Sequence, residues 1–211
     1  MSILISGFEA FDGSTSNPSA CIVQALLTRS DIATVILPVD SVHGPNRLLE
    51  TIPKIQPQAI LCLGEAARRS AISVERVAIN LKDYRIPDNN GITLQDEPII
   101  SDGPDAYFSN LPVRKITQAI LAAGIPVELS LSAGAYLCNQ VMYAAIHATR
   151  FTTPRPLVGF IHLPSLPQQV VEKNQSYPSM ALETSQKAVQ IAIQVIRQTL
   201  ENNSSQDINS A

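Results

Sequence analysis

The 211-residue chain is predicted to be an α/β protein, a three-layer α/β/α sandwich around a central mixed, largely parallel sheet. Three observations predict it. Short, continuously apolar runs recur along the chain and read as strands covered on both faces. Segments with helical periodicity separate these runs. The helical segments also carry start and stop signals of their own.

The strands are expected at Ile3 to Ile5, Ala33 to Val39, Ala59 to Leu63, Val127 to Leu131 and Leu157 to Leu163. A first helix opens at "NPSACIVQALL", where Asn17 can cap, Pro18 suits the first helical position, and Ile22, Val23 and Leu26 share a face. Leu48, Leu49, Ile52 and Ile55 mark a second. A third follows Pro112, with Val113, Ile116, Ile120 and Leu121, and stops at Gly124. A fourth begins near Cys138 and is traced by Val141, Met142, Ala145, Ile146 and Thr149. The last runs from about Ser179 to Leu200. Residues 68 to 80 read as a polar-flanked, β-like stretch, and residues 84 to 110, rich in Pro, Gly, Asn and Asp, as a hairpin-like excursion or long loop. One domain over residues 1–200 is expected, with 201–211 as a polar, flexible tail.

Composition excludes several classes of function. Hydrophobic residues make up 45% and charged residues 16%, a globular balance rather than a disordered one. The net charge is −3, and the 15 Lys and Arg are scattered, so no footprint for nucleic acid or an anionic membrane is expected. No apolar run approaches the roughly 20 residues that span a bilayer. "MSILISGFEAFDG" lacks the features of a signal peptide, and the chain reads as cytoplasmic. Cys21, Cys62 and Cys138 are an odd count without CxxC spacing, so neither a disulfide framework nor a metal site is expected. Cys62, inside "AILCLG", and Cys21, in the first helix, read as packing residues.

Cys138 stands apart because Ser132 and Gly134 precede it as turn residues and helical spacing follows it. That places it in a first turn, where free N–H groups and the helix dipole favour an anion and would lower the thiol pKa. A small packing residue would fit the same position. Of the three histidines, His147 lies nine positions along the same helix and points elsewhere, and His43 suits a capping or exposed role. His162 ends the strand "PLVGFIHLP", where ligand sites form in such sheets and a buried polar ring needs a partner. Glu75, between apolar neighbours in "SAISVERVAIN", could orient a histidine, or could be a surface residue paired with Arg69 or Arg76.

"GFEAFDG" with "NPS", "SAISVERVAIN", "RIPDNNG", "YFSNLPVR", "SAGAYLCNQVMY", "GFIHLP" and "PSMALET" occur in order from Ile3 to about Ile196. In these motifs the chain resembles the pyroglutamyl peptidase I family. The resemblance implies a single catalytic α/β/α domain and a cysteine peptidase that removes N-terminal pyroglutamyl residues from peptides. It implies Cys138 as nucleophile, His162 as general base and Glu75 as orienting carboxylate. Phe8, Phe11, Ile86, Tyr136 and Leu137 would border the lactam ring, with Glu65 where the family often has a neutral, substrate-contacting residue. Arg85 would lie near the developing oxyanion. No cofactor or metal is implied, and soluble homo-oligomers, dimers or tetramers, are expected. Ala10 and Asp12 depart from the usual "GFEPFGG", and "GEAARR" at 64–69 departs from the usual glycine-rich stretch. Two alternatives are a catalytically weak homologue that binds pyroglutamyl-ended ligands and a phosphorylase-type enzyme on the same broad fold.

Overall fold

The computed structural model of the chain describes residues 2–27, 29–174 and 176–209, the side chains of 204–209 excepted. Its elements are β1 (Ile3–Phe8), α1 (Pro18–Ala25), β2 (Ile32–Leu37), α2 (His43–Ile55), β3 (Ala59–Glu65), β4 (Ile72–Glu75), β5 (Val77–Ile79), β6 (Ala106–Phe108), α3 (Val113–Ala122), β7 (Val127–Ser130), α4 (Leu137–Thr149), β8 (Leu157–Leu163), α5 (Pro167–Glu172) and α6 (Leu182–Asn209).

Six strands form one sheet in the order β2-β1-β3-β8-β4-β7, and β5 pairs with β6 in a separate ribbon. All neighbours in the main sheet are parallel except β4 and β8, so the sheet is mixed and mostly parallel. Because side chains alternate across a strand, each central strand supplies both layers. Ile3, Ile5, Leu61, Leu63 and Ile161 pack with residues of α1, α3 and α6, among them Ile22, Ile116 and Ile193. Leu4, Ile60, Cys62, Val158 and Phe160 pack with Leu48 of α2 and with Val141, Met142 and Ile146 of α4. Each such fully buried aliphatic side chain contributes roughly 1.5–3 kcal/mol of transfer free energy. The apolar runs of the sequence are therefore the doubly covered strands.

Boundaries differ from the sequence expectation where a single residue decides them. β2 ends at Leu37: Leu37 O still accepts from Glu9 N at 3.0 Å, but Val39 N, the next donor in the ladder, bonds the Glu9 side chain at 3.0 Å instead. At α1, Asn17 Oδ1 accepts from Ser19 N at 3.0 Å, and Pro18 opens the helix. The last helix starts at Leu182 rather than Ser179 and keeps a helical backbone to Asn209. Residues 201–209 thus continue the helix where a flexible tail is expected, since extending an existing helix needs no new nucleus. Ser210 and Ala211, the end of that tail, lie outside the described residues.

The excursion at 84–110 is anchored rather than loose. Lys82 and Glu97 form an isolated antiparallel bridge, and Ala106–Phe108 pairs antiparallel with Val77–Ile79. Asn139 of α4 clamps this region: its Oδ1 accepts from Ile79 N (2.8 Å), and its Nδ2 donates to the carbonyls of Ile79 (2.9 Å) and Leu81 (3.1 Å). α4 is therefore covered on nearly every side, which explains its apolar circumference.

Candidate active site

The carboxyl ends of β3 and β8, the end of β4 and the first turn of α4 meet at one point. Gly64 of β3 and His162 of β8 are register partners, so a side chain at 64 would lie on the same face as the imidazole. There is no room for one. A Cβ on Gly64 would lie 2.7 Å from Phe160 Cζ and 2.9 Å from Cys138 Sγ. Glycine is required here for close approach, and it lets the thiol rest directly on the sheet beside the histidine strand.

Cys138 is the second residue of α4, as the spacing predicts, with Tyr136 at the N-cap. The expected fall in its pKa is not what its surroundings produce. Burial pushes the thiol up, the negative charges of Glu75 and Glu65 and the neighbouring Cys62 add to this, and Arg69 opposes it. The local sequence shows only the helix N-terminus; the carboxylates arrive from distant strands. These surroundings favour the thiol over the thiolate.

His162 is buried, its ring 4.6 Å from that of Phe160. Its Nδ1 lies 2.7 Å from Glu75 Oε1. Glu75 is fully buried, and the same oxygen accepts from Arg69 Nη1 at 2.7 Å. Glu75 thus contacts both a histidine and an arginine, and it is buried rather than the surface residue that the alternative sequence reading allowed. Arg69 Nη2 also donates to Ser132 O at 3.2 Å, tying the carboxylate to the turn that leads into α4. Burial raises the Glu75 pKa, but hydrogen bonds from His162 and Ser130 and the charges of His162 and Arg69 outweigh it, and the net direction is down. An ionised carboxylate on Nδ1 holds the ring with Nε2 as the free acceptor.

A narrow cleft enclosing about 270 Å³ of free space, open mouth included, adjoins the thiol. Phe8, Phe11, Asn17, Val39, Glu65, Tyr136, Leu137 and Cys138 line it. Five pocket residues expected from sequence, Phe8, Phe11, Glu65, Tyr136 and Leu137, are thus brought together. Phe8 also belongs to the core cluster, so packing and lining are one role. Ile86, half-buried, and Arg85, exposed, stand on the segment beside Tyr84 and are not among the lining residues. The guanidinium in contact with the buried carboxylate is that of Arg69. Asn17 and Val39 escaped the sequence reading because one looks only like a cap and the other only like a strand residue.

The walls are pinned from behind. Tyr136 Oη donates to Pro87 O at 3.1 Å, and its ring stands edge-on to Tyr84 with centroids 4.7 Å apart. Asn89 donates to Glu9 Oε1 and Ala10 O, both at 3.0 Å, and Asp88 accepts from Ser41 N at 2.9 Å. Glu65 is held at both oxygens, by Ser165 Oγ at 2.6 Å and Gln169 Nε2 at 2.9 Å. The other histidines lie elsewhere: His43 Nδ1 bonds Asp40 at 2.8 Å at the start of α2, and His147 Nδ1 meets Tyr107 Oη at 2.9 Å. Cys62 is fully buried under the sheet face, as a packing residue would be. Among the described residues no cluster of three or more His, Cys, Asp or Glu could hold a metal ion, and no helix is long and apolar enough to cross a membrane.

Comparison with known proteins decides the family, because the model of the pyroglutamyl peptidase family matches residues 1–199. The chain belongs to the pyroglutamyl peptidase family. It is a cysteine-type peptidase of that family, not a phosphorylase. It is 45% identical to pyrrolidone-carboxylate peptidase 1 of Photorhabdus laumondii, covering 95% of this chain and 93% of that protein. It is 40% identical to the pyrrolidone-carboxylate peptidase of Pyrococcus furiosus, covering 95% and 100%. The crystal structure of the latter enzyme superposes with a TM-score of 0.89 at 40% identity, over 95% of this chain and all of that one. The three-layer architecture is shared with that pyroglutamyl peptidase.

Proposed function

We propose that the chain hydrolyses the bond after an N-terminal pyroglutamyl residue by a thioester mechanism, with Cys138 as nucleophile, His162 as general base and acid, and Glu75 as orienting carboxylate. One observation carries this reading: Cys138 Sγ packs on Gly64, the register partner of His162, whose Nδ1 is 2.7 Å from buried Glu75.

In the first step His162 Nε2 accepts the Cys138 proton, and sulfur attacks the exocyclic carbonyl carbon that joins the lactam to the next residue. First-turn N–H groups of α4 face the oxygen that becomes negative, and Arg85, on the adjoining segment, is the cation the family resemblance assigns to it. The tetrahedral species collapses, the C–N bond breaks, and His162 returns its proton to the departing amine. His162 then takes a proton from water, whose oxygen attacks the thioester; the C–S bond breaks, pyroglutamate leaves, and the thiol regains its proton. Glu75 stays ionised throughout and stabilises each imidazolium. The lactam ring is flat, uncharged and mostly apolar, and Phe8, Phe11, Tyr136 and Leu137 offer it apolar and aromatic surface beside one polar wall at Glu65.

All three cysteines are free, which fits a reducing compartment, and we assign the enzyme to the cytoplasm, as one catalytic unit per chain in a homo-oligomer. The reading is tested by hydrolysis of a chromogenic pyroglutamyl amide under reducing conditions. Wild type should release the amine and Cys138→Ala should not; an inactive wild type, as expected of a mere binding homologue, or an active Ala variant would overturn it.

A further inference from the structure

We infer that Gln169 is a positioning residue that sets the width of the lactam cleft. It lies on α5, outside every motif to which a role is assigned above, and is only 2% exposed. Its buried amide joins three separate segments. Oε1 accepts from Leu166 N at 2.7 Å, Nε2 donates to Ser16 O at 3.1 Å, and Nε2 also donates to Glu65 Oε2 at 2.9 Å. One of those partners, Glu65, lines the cleft directly, and another, Ser16, immediately precedes Asn17, which also lines it. The third belongs to the segment leaving β8, four residues beyond His162.

The neighbouring contacts point the same way. Ser165, on that same segment, donates to the other Glu65 oxygen at 2.6 Å. At the surface, Thr15 bonds Glu172 at 3.1 Å and Lys173 bonds Asp12 at 2.8 Å. The loop carrying Phe11, the end of β3 and the turn after β8 therefore meet at α5, and the buried Gln169 side chain touches all three. An amide is required because it must accept from a backbone N–H and donate to a carbonyl and a carboxylate at once. A carboxylate at 169 would lose the donor and face Glu65 as a like charge. Gln169 touches neither thiol nor imidazole, so it acts on ring binding rather than on the chemical steps.

This inference rests on the assignment of the cleft to the lactam ring, and the test separates the two. kcat and KM for a pyroglutamyl amide are measured for wild type, Q169E and the double variant E65Q/Q169E across pH 5–9, with the rate of Cys138 alkylation by iodoacetamide. Q169E should raise KM on the order of tenfold, because it loses both donations and sets a carboxylate against Glu65. kcat and alkylation should change less than about threefold. E65Q/Q169E, which restores an amide facing a carboxylate but not the donation to Ser16 O, should recover part of the KM loss. If Q169E does not fold but E65Q/Q169E does, the contact is likewise supported. A KM unchanged in Q169E, a parallel fall of kcat, alkylation and thermal midpoint, or failure of both variants to fold would overturn the inference. A Cys138→Ala variant as active as wild type would instead overturn the cleft assignment beneath it.

Discussion

His162 Nδ1 stands 2.7 Å from Glu75 Oε1, and Arg69 binds that same oxygen at 2.7 Å from the other side. One buried carboxylate thus carries both an imidazole and a guanidinium, and through Arg69 it also reaches the turn before Cys138. This couples the orientation of the base to the placement of the nucleophile.

Replacing Glu75 should therefore hurt catalysis more than folding. Glu75→Gln keeps the shape but leaves Arg69 only the more distant Glu128 carboxylate, at 3.9 Å, and His162 without a fixed tautomer. We expect kcat for a pyroglutamyl amide to fall by on the order of 10²-fold or more, with KM much less affected. Steady-state kinetics on the folded variant checks this; a kcat within fivefold of wild type would remove Glu75 from the mechanism.

Gly64 should tolerate no side chain. The Cβ of Gly64→Ala would meet Cys138 Sγ at 2.9 Å and Phe160 Cζ at 2.7 Å, so thiol and ring must both move. A displacement of about 1 Å at a reacting atom can cost about 10²-fold. Loss of turnover with a retained far-ultraviolet circular dichroism spectrum is the expected pair of results.

The charge at Glu65 should be visible in the titration of the thiol. Burial is the largest cause of the raised Cys138 pKa, and Glu65 adds to it through its negative charge. Glu65→Gln removes that charge and should move the pH profile of iodoacetamide inactivation toward lower pH. A profile unmoved, or moved to higher pH, would show that the carboxylate does not act on the thiol.

Asp40 gives a separate prediction for stability. Burial would raise its pKa, but the hydrogen bonds from the His43 ring and from the His43 and Val42 N–H groups outweigh this and hold it at about 2. The folded value is depressed, so the stabilisation is complete above the unfolded value near 3.9 and is lost as pH falls through about 2. His43 behaves oppositely: Asp40 raises its pKa, and that contribution is lost as pH rises through the folded value. Asp40→Asn should lower stability at pH 7 by on the order of 1–2 kcal/mol. The gap from wild type should narrow below pH 4, as read by chemical denaturation.

Much of this was legible in the sequence because the signals were local or periodic. The continuous apolar runs became the doubly covered strands, and the turn residues before Cys138 placed it in a first turn. What stayed hidden had no period to show. β6 is three residues and α5 is six, too short for a hydrophobic pattern, and the β-like stretch at 68–80 did not show its division into β4 and β5; Pro167 does open α5 as a start signal. The direction of the Cys138 pKa was also out of reach. It depends on Glu65 and Glu75, which stand 73 and 63 positions upstream and meet the thiol only through the sheet.

The most direct test of the central claim is to label the protein with a pyroglutamyl chloromethyl ketone and map the modified peptide by mass spectrometry. We predict stoichiometric alkylation of Cys138 alone, leaving Cys21 and Cys62 free, with loss of activity in step and protection by a pyroglutamyl amide. Label on another residue, or full activity in protein whose Cys138 is alkylated, would contradict the assignment of Cys138 as nucleophile.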